Sequence, residues 1–352
     1  MSGGVDSSVA AALLKKEGYD VTGVFFKPWA PFAKASEGHS NPVFYCDWQQ
    51  DRRDAMAVAE ILSIPFKTWD FSKEYKNKVG DYMIESYRKG LTPNPDVMCN
   101  KEIKFGLFLK KARQAGADFI ATGHYVRKTQ NRLLTAIDKN KDQSYFLWAL
   151  TQKQLKYCLF PIGDYTKPKI RQLAKKFGLP TFNKKDSQGV CFIGQLDMKE
   201  FLKKYIPSKP GQIILHETAG NKLIGTHEGA AYYTIGQRHG LNITNGGGPY
   251  YVSDKDLKKN LVFVTKEEQK LETKEIAVQD INWINSISQD NLQVKARYRT
   301  SAVSAKIVAN NSNHSLKIKT AKPLRAATPG QSVVFYHGQE MLGGGIITVL
   351  TK

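Results

Sequence analysis

Cysteine is scarce and unclustered in this 352-residue sequence: Cys46, Cys99, Cys158 and Cys191 are the only four, with no C-x-x-C pair among them. That speaks against a disulfide framework or a zinc finger and makes a reducing, cytoplasmic setting the expectation. No apolar run approaches the roughly 18 residues of a membrane span, so a soluble protein without a membrane partner is expected. A secretory leader has no room either, because a glycine-rich loop and an amphipathic segment begin at Ser2. Acidic residues are in deficit, 32 Asp plus Glu against 52 Lys plus Arg, for a formal net charge of +20. The excess fits a polyanionic partner such as RNA, while lysine pairs spread along the chain (Lys15-Lys16, Lys110-Lys111, Lys203-Lys204) fit a lysine-rich proteome as well. Internal repeats are missing too, so the organisation must be read from changes of pattern along a chain long enough for two or three cored domains.

What is there begins at once. Ser2-Gly3-Gly4-Val5-Asp6-Ser7-Ser8 reads as a phosphate-binding loop running into a helix. The glycines let backbone N–H groups approach an anion, and the helix points its positive dipole end at the same place. Ser2 and Ser7 offer hydroxyl donors, and Asp6 offers a carboxylate for magnesium or for the loop's own N–H groups. No Gly-Lys-Ser/Thr follows, so this is not a Walker loop. A capped helix after a glycine turn would carry the same residues, and the motifs further along must decide. Such a loop hangs from a buried parallel strand of about five or six residues. Residue 2 is too early for one: the first strand is missing from this sequence, so either Met1 is an internal methionine of a longer native chain, the favoured reading, or the protein lacks a central strand of its sheet.

From residue 5 to about 125, helical and strand-like segments alternate, the pattern of a parallel sheet covered by helices. Val9, Leu13 and Leu14 give a first helix its stripe; Met56, Ala59 and Leu62 give a second. Val21 to Phe26, Phe66 to Phe71 and Phe119 to Thr122 read as strands, so Phe26, Gly123 and the loop should converge where strand carboxyl ends open. Residues 143 to 204 read as mostly helical. Beyond Pro207 alternation takes over, with strands at Gln293 to Tyr298, Ser304 to Ala309, Ser315 to Thr320 and Ser332 to Tyr336, as in a small barrel. Three domains follow: 1–204 α/β catalytic with a helical part, 205–270 β-rich, and 271–352 a C-terminal β-barrel.

Two thiols sit in informative contexts. Pro93-Asn94-Pro95-Asp96-Val97-Met98-Cys99 is a proline-stiffened loop that presents a carboxylate and a thiol together, although a buried small residue at a helix start reads the same. Cys191 lies between Gly189 and Gly194 after a polar stretch, a composition that suits delivery of a sulfur. Cys158, in Tyr157-Cys158-Leu159-Phe160, reads as core, and Cys46 is undecided.

Together with Gly23-Val24-Phe25-Phe26-Lys27, Cys99-Asn100-Lys101-Glu102, Ala121-Thr122-Gly123-His124-Tyr125, Lys141-Asp142-Gln143-Ser144-Tyr145-Phe146, Gly189-Val190-Cys191-Phe192-Ile193-Gly194 and Lys295-Ala296-Arg297-Tyr298-Arg299, these motifs resemble the bacterial tRNA-specific 2-thiouridylases, members of the ATP-pyrophosphatase class, over the whole chain. Two departures stand out: the missing first strand with its glycine, and Phe26 where many members carry methionine. The resemblance implies an adenine-nucleotide alpha-hydrolase-like sheet. It implies ATP with magnesium held by Ser2, Gly3, Gly4, Val5, Asp6, Ser7, Phe26 and Gly123. It implies activation of the C2 oxygen of the wobble uridine, position 34 of tRNA, by adenylation. Sulfur would then pass from a Cys191 persulfide, loaded by a sulfur-donor protein such as a cysteine desulfurase or a relay protein, with Cys99 assisting either by attacking that persulfide to free hydrosulfide or by resolving the product into a Cys99–Cys191 disulfide. Asp96 would be the base, with Asn94 and Pro95 as pocket wall, while His124, Lys141, Asp142, Gln143, Arg297, Tyr298 and Gln331 would face RNA. Rivals are another ATP-pyrophosphatase, an amidotransferase or synthetase, which needs no such thiols, and a non-catalytic RNA-binding protein, which needs no ATP cleavage. Within the favoured reading, Cys99, Cys191 and Asp96 could instead ligate an iron–sulfur cluster.

Overall fold

The apolar stripe behind the phosphate loop folds as α1 (Val5–Lys16), which buries Val5, Val9, Leu13 and Leu14 and stops where Gly18 takes a positive φ of 88°. In the computed structural model, residues 1–30, 48–186, 198–217, 220–243, 246–285, 291–312 and 315–348 are described. Cys46 and Cys191 lie outside them. Strand β1 (Gly23–Lys27) pairs in parallel with β2 (Phe66–Asp70), Gly23 opposite Phe66 and Lys27 opposite Asp70. Between them runs α2 (Trp48–Ile61), whose buried residues are Ala55, Val58 and Ala59. Met56, expected on that face, is 41% exposed: it lies one residue, hence about 100° of helix, from Ala55.

A second parallel pair joins β3 (Ile120–Ala121) to the later β6 (Cys158–Leu159). Between these two in sequence lies an antiparallel hairpin, β4 (Val126–Thr129) and β5 (Arg132–Thr135). Among the described residues the two parallel pairs form separate two-stranded sheets. The Met1 amino group donates to the Val24 carbonyl of β1, and burial pulls its pKa down to about 5. The expectation of a mostly helical 143–204 needs correction. Lys167–Lys176 is a full helix, but the other described pieces are single turns such as Ser144–Leu147, Gln152–Leu155 and Met198–Lys203, strung on loop.

The central sheet comprises β7 (Gly211–Glu217), β8 (Gly220–His227), β9 (Tyr251–Asp256) and β10 (Leu261–Thr265), in the order β8-β7-β10-β9. Six strands then close into a barrel: β11 (Glu272–Trp283), β12 (Leu292–Lys295), β13 (Val303–Ser312), β14 (Ser315–Arg325), β15 (Ser332–His337) and β16 (Glu340–Thr348), with β11 bonded to both β14 and β16. The barrel interior holds Val278, Val294, Ile318, Val333 and Phe335. Its sheet continues outward, because β16 also pairs with β5, Met341 opposite Leu133.

The helix over residues 95–114 joins these parts. Cys99 and Ile103 pack in one core with Tyr75, Val79 and Met83 and with Ile213, Val262 and Val264 of the central sheet. Val97, Phe105 and Leu109 pack in another with Leu133, Trp148, Val334 and Met341. Over Cys99–Phe108 the helix takes the wider π form, a register found mostly at functional sites. A side chain at Gly106 would come within 2.8 Å of the Lys101 carbonyl oxygen.

Candidate active site

The phosphate loop is placed by two close backbone approaches. Gly3 has a φ of 72°, and a Cβ on it would fall 2.2 Å from the Asp51 carbonyl oxygen of α2. A Cβ on Gly123 would fall 2.7 Å from both the Asp6 carbonyl carbon and the Ser7 nitrogen. Only glycine lets the end of β3 press against the first turn of α1. Ser7 Oγ donates to the Gly4 carbonyl at 3.1 Å and accepts from the Ser2 amide at 3.1 Å, so the hydroxyls brace the loop on itself. Val5 turns its side chain into the core. Phe26 stands at the carboxyl end of β1 with its ring 6.2 Å from that of Phe71. Beside it, the ends of β1 and β2 open onto a cavity of 460 Å³ bordered by Lys27, Trp48, Arg52, Arg53 and Asp70.

A charged residue that the sequence reading missed completes this end. Lys167 is buried, and its ammonium donates to both oxygens of Asp6, at 2.8 and 2.9 Å, and lies 2.8 Å from Asp186. Asp6 also accepts from the Tyr125 hydroxyl at 2.7 Å. Asp186 is bridged in turn by Lys141 at 2.6 Å and Arg171 at 2.9 Å. Burial works to raise the Asp186 pKa, but its bonds to Lys141 and Lys167 hold it down at about 2. Lys167 begins the Lys167–Lys176 helix, where the dipole repels a cation; a lysine in that position was the signal available in the sequence.

The carboxylate and thiol lie on a helical turn that starts at Pro95, where the sequence reading expected loop up to Cys99. Asn94 caps it, its side-chain oxygen accepting from the Val97 amide at 3.3 Å, and Pro95 occupies the first position. Asp96 is half-buried and Cys99 is 1% exposed. Burial raises the Cys99 pKa, opposed by Lys104 and a hydrogen bond with Tyr75 and reinforced by Asp96, so the thiol is neutral at pH 7. Cys158 is buried with its thiol donating to the Gln154 carbonyl, and burial pushes its pKa up to about 12.

The residues expected against RNA divide. Tyr298 and Phe146 form a half-buried aromatic pair with centroids 4.5 Å apart. Arg297 donates to the Ile235 carbonyl at 3.0 Å and to Thr328 Oγ1 at 3.3 Å. His124 is buried between Phe105 and Phe160, paired with Thr122 Oγ1 at 2.8 Å, and burial with Lys104 nearby drives its pKa well below the usual value. Asp142 is buried and accepts from the Ala136 amide and the Ser144 hydroxyl, while Gln143 accepts from the Tyr125 amide at 2.9 Å. These three spend their polar atoms inside the protein. Among the described residues no cluster of three or more His, Cys, Asp or Glu could hold a metal ion, and no helix is long and apolar enough to cross a membrane.

Three family models match the chain end to end: a tRNA methyl transferase HUP domain over residues 1–195, a tRNA methyl transferase PRC-barrel domain over 199–266, and an aminomethyltransferase beta-barrel domain over 273–347. The tRNA-specific 2-thiouridylase MnmA of Bacillus cytotoxicus is 44% identical, covering 99% of this chain and 93% of its own length. That of Listeria monocytogenes is also 44% identical, covering 100% and 94%. Among solved structures, the NMN synthetase of Francisella tularensis aligns at 17% identity with a TM-score of 0.34, over 56% of this chain and 68% of its own, a likeness too slight to carry an argument.

Proposed function

The chain belongs to the tRNA-specific 2-thiouridylase family of tRNA-modifying transferases, and on that premise we propose that it uses ATP to exchange the C2 oxygen of the wobble uridine, position 34 of tRNA, for sulfur. The observation that carries this reading is the turn that presents Asp96 and Cys99 together in a chain that also carries a phosphate loop, since ATP cleavage alone needs no thiol. The C2 oxygen is a poor leaving group. Its attack on the α-phosphorus of ATP releases pyrophosphate and turns it into the good leaving group AMP. On this reading the N–H groups at the start of α1 face the departing charge, the Ser2 and Ser7 hydroxyls keep the loop in shape, and the Lys167 ammonium on Asp6 offsets the loop's own carboxylate.

Asp6 is a carboxylate of the kind that holds magnesium, but Lys167 occupies both its oxygens, so an ion there would take the place of that ammonium and would add Lewis-acid neutralisation of the phosphates. Asp96 takes the proton that the uracil ring loses. The outer sulfur of a Cys191 persulfide, loaded by a cysteine desulfurase or a relay protein, bonds to C2 as AMP leaves. The Cys99 thiol then attacks the inner Cys191 sulfur, its proton passing to the ring nitrogen as the C2–S bond becomes a thiocarbonyl, which gives a Cys99–Cys191 disulfide and leaves the outer sulfur on the base; a thiol reductant reopens the disulfide. Because Cys99 is buried, tRNA binding on this reading exposes it before this step.

The test is incubation with unmodified tRNA carrying uridine 34, ATP, magnesium and a sulfide or persulfide source. The expected products are 2-thiouridine, AMP and pyrophosphate. AMP without thiolation, unaffected by Cys99→Ser, would move an amidotransferase or synthetase to the front; no ATP cleavage with tRNA bound would leave an RNA-binding protein.

A further inference from the structure

Three parts of the chain far apart in sequence meet at Thr92. Its amide donates to the Pro329 carbonyl at 2.9 Å, and its hydroxyl lies 3.2 Å from that of Thr234. From the barrel, Gln331 Nε2 donates to the Thr92 carbonyl at 2.9 Å and to the Pro93 carbonyl at 3.2 Å, so both protons of one side-chain amide hold consecutive backbone oxygens. The holder is itself fixed. The Gln331 amide donates to the Thr328 carbonyl, its carbonyl accepts from Ile347, and Gly330 donates to the Ile347 carbonyl at 2.8 Å. Gly330 has a φ of 92°, and a Cβ there would fall 2.9 Å from the Thr92 nitrogen and oxygen.

What is clasped lies one residue before the cap of the helix bearing Asp96 and Cys99. Pro93 and Pro95 flank Asn94 and leave the chain few ways to absorb a displacement at Thr92. We propose that Gln331 is a positioning residue for thiolation: with Gly330 behind it, its amide sets the path of Thr92–Pro93 and thereby the aim of Asp96 and Cys99, so the C-terminal barrel is part of the catalytic apparatus. The proposal rests on the reading above that Asp96 and Cys99 act on the uridine. Misplacing reacting groups by about 1 Å can cost roughly a hundredfold in rate. A Gln331 that served only as an RNA contact would leave the rate unchanged and weaken tRNA binding instead.

The experiment compares Gln331→Ala, Gln331→Glu and Gly330→Ala with the native chain in steady-state thiolation, and measures alkylation of Cys99 by a small electrophile in protein without tRNA or ATP. Gly330→Ala removes no group that RNA could bond. The expected result is a fall in kcat of tenfold or more, with KM for tRNA within threefold, in all three, and faster Cys99 alkylation in each. A rise in KM with kcat unchanged, or unaltered Cys99 alkylation in variants that melt as cooperatively as the native chain, would overturn it. If the native chain forms no 2-thiouridine, the functional reading fails on its own, and the alkylation rates still decide whether the clasp sets the turn.

Discussion

The phosphate loop and the Cys99 turn are positioned by opposite means. The loop is built within the first domain, with Gly3 against Asp51 and Gly123 against Asp6, and carries a chain of charges running from Asp6 through Lys167 to Asp186, Lys141 and Arg171. The Cys99 turn carries a neutral thiol, sits between two hydrophobic cores, and is held by side chains from the central domain and the barrel. Charge suits a site that must receive a polyanion and release one. On the proposed mechanism, burial suits a thiol kept unreactive until its substrate arrives, because a thiolate exposed early would be oxidised or alkylated.

This contrast can be broken at several points. Largest should be Cys99→Ser and Cys191→Ser, each expected to lower 2-thiouridine formation by at least a thousandfold while tRNA-dependent pyrophosphate release continues. Mass spectrometry of the digested tRNA beside a pyrophosphate assay checks the split. Gly123→Val should do the reverse at the other end: the added side chain displaces Asp6 and Ser7, so pyrophosphate release should fall about a hundredfold. The smallest changes probe the charges. Lys167→Met leaves the carboxylates of Asp6 and Asp186 without their shared cation, and should raise KM for ATP about tenfold and lower the melting temperature, with Lys167→Arg restoring part of both.

Asp186 supplies the pH dependence. Its pKa is depressed in the folded chain, so the unfolded chain binds the proton more readily and the carboxylate's contribution is present above the ordinary Asp value of about 3.8. That contribution is lost as pH falls through about 2. Acid melts should therefore show the native chain more stable than Asp186→Asn at pH 6, the gap closing below pH 4. A gap that stayed constant through pH 2 would show that Asp186 acts by packing rather than charge.

Much of the loop end was legible because its determinants are local: glycines beside hydroxyls, a helical stripe, strands of the first domain. The barrel strands were legible by alternation. Strands β4 and β5, four residues each and rich in Arg and Lys, gave no alternation strong enough to mark them. Residues 143–204 misled because scattered apolar positions in one-turn helices imitate a longer period. Asp96 and Cys99 were visible as types, but the groups that hold their turn, Thr234, Pro329 and Gln331, lie more than a hundred residues away, where spacing carries no signal. Lys167 was passed over as surface, although its place at a helix start, where the dipole disfavours a cation, was the signal it offered.

The pairing of β5 with β16 bears on anyone who would graft this barrel onto another enzyme. A chimera cut near residue 270 takes β16 away from Leu133 and Leu134 and leaves the edge of β5 bare, inviting pairing between molecules. The smallest transplantable unit is therefore discontinuous, the barrel together with residues 126–135, and recombination that respects the linear domain order would still sever a sheet.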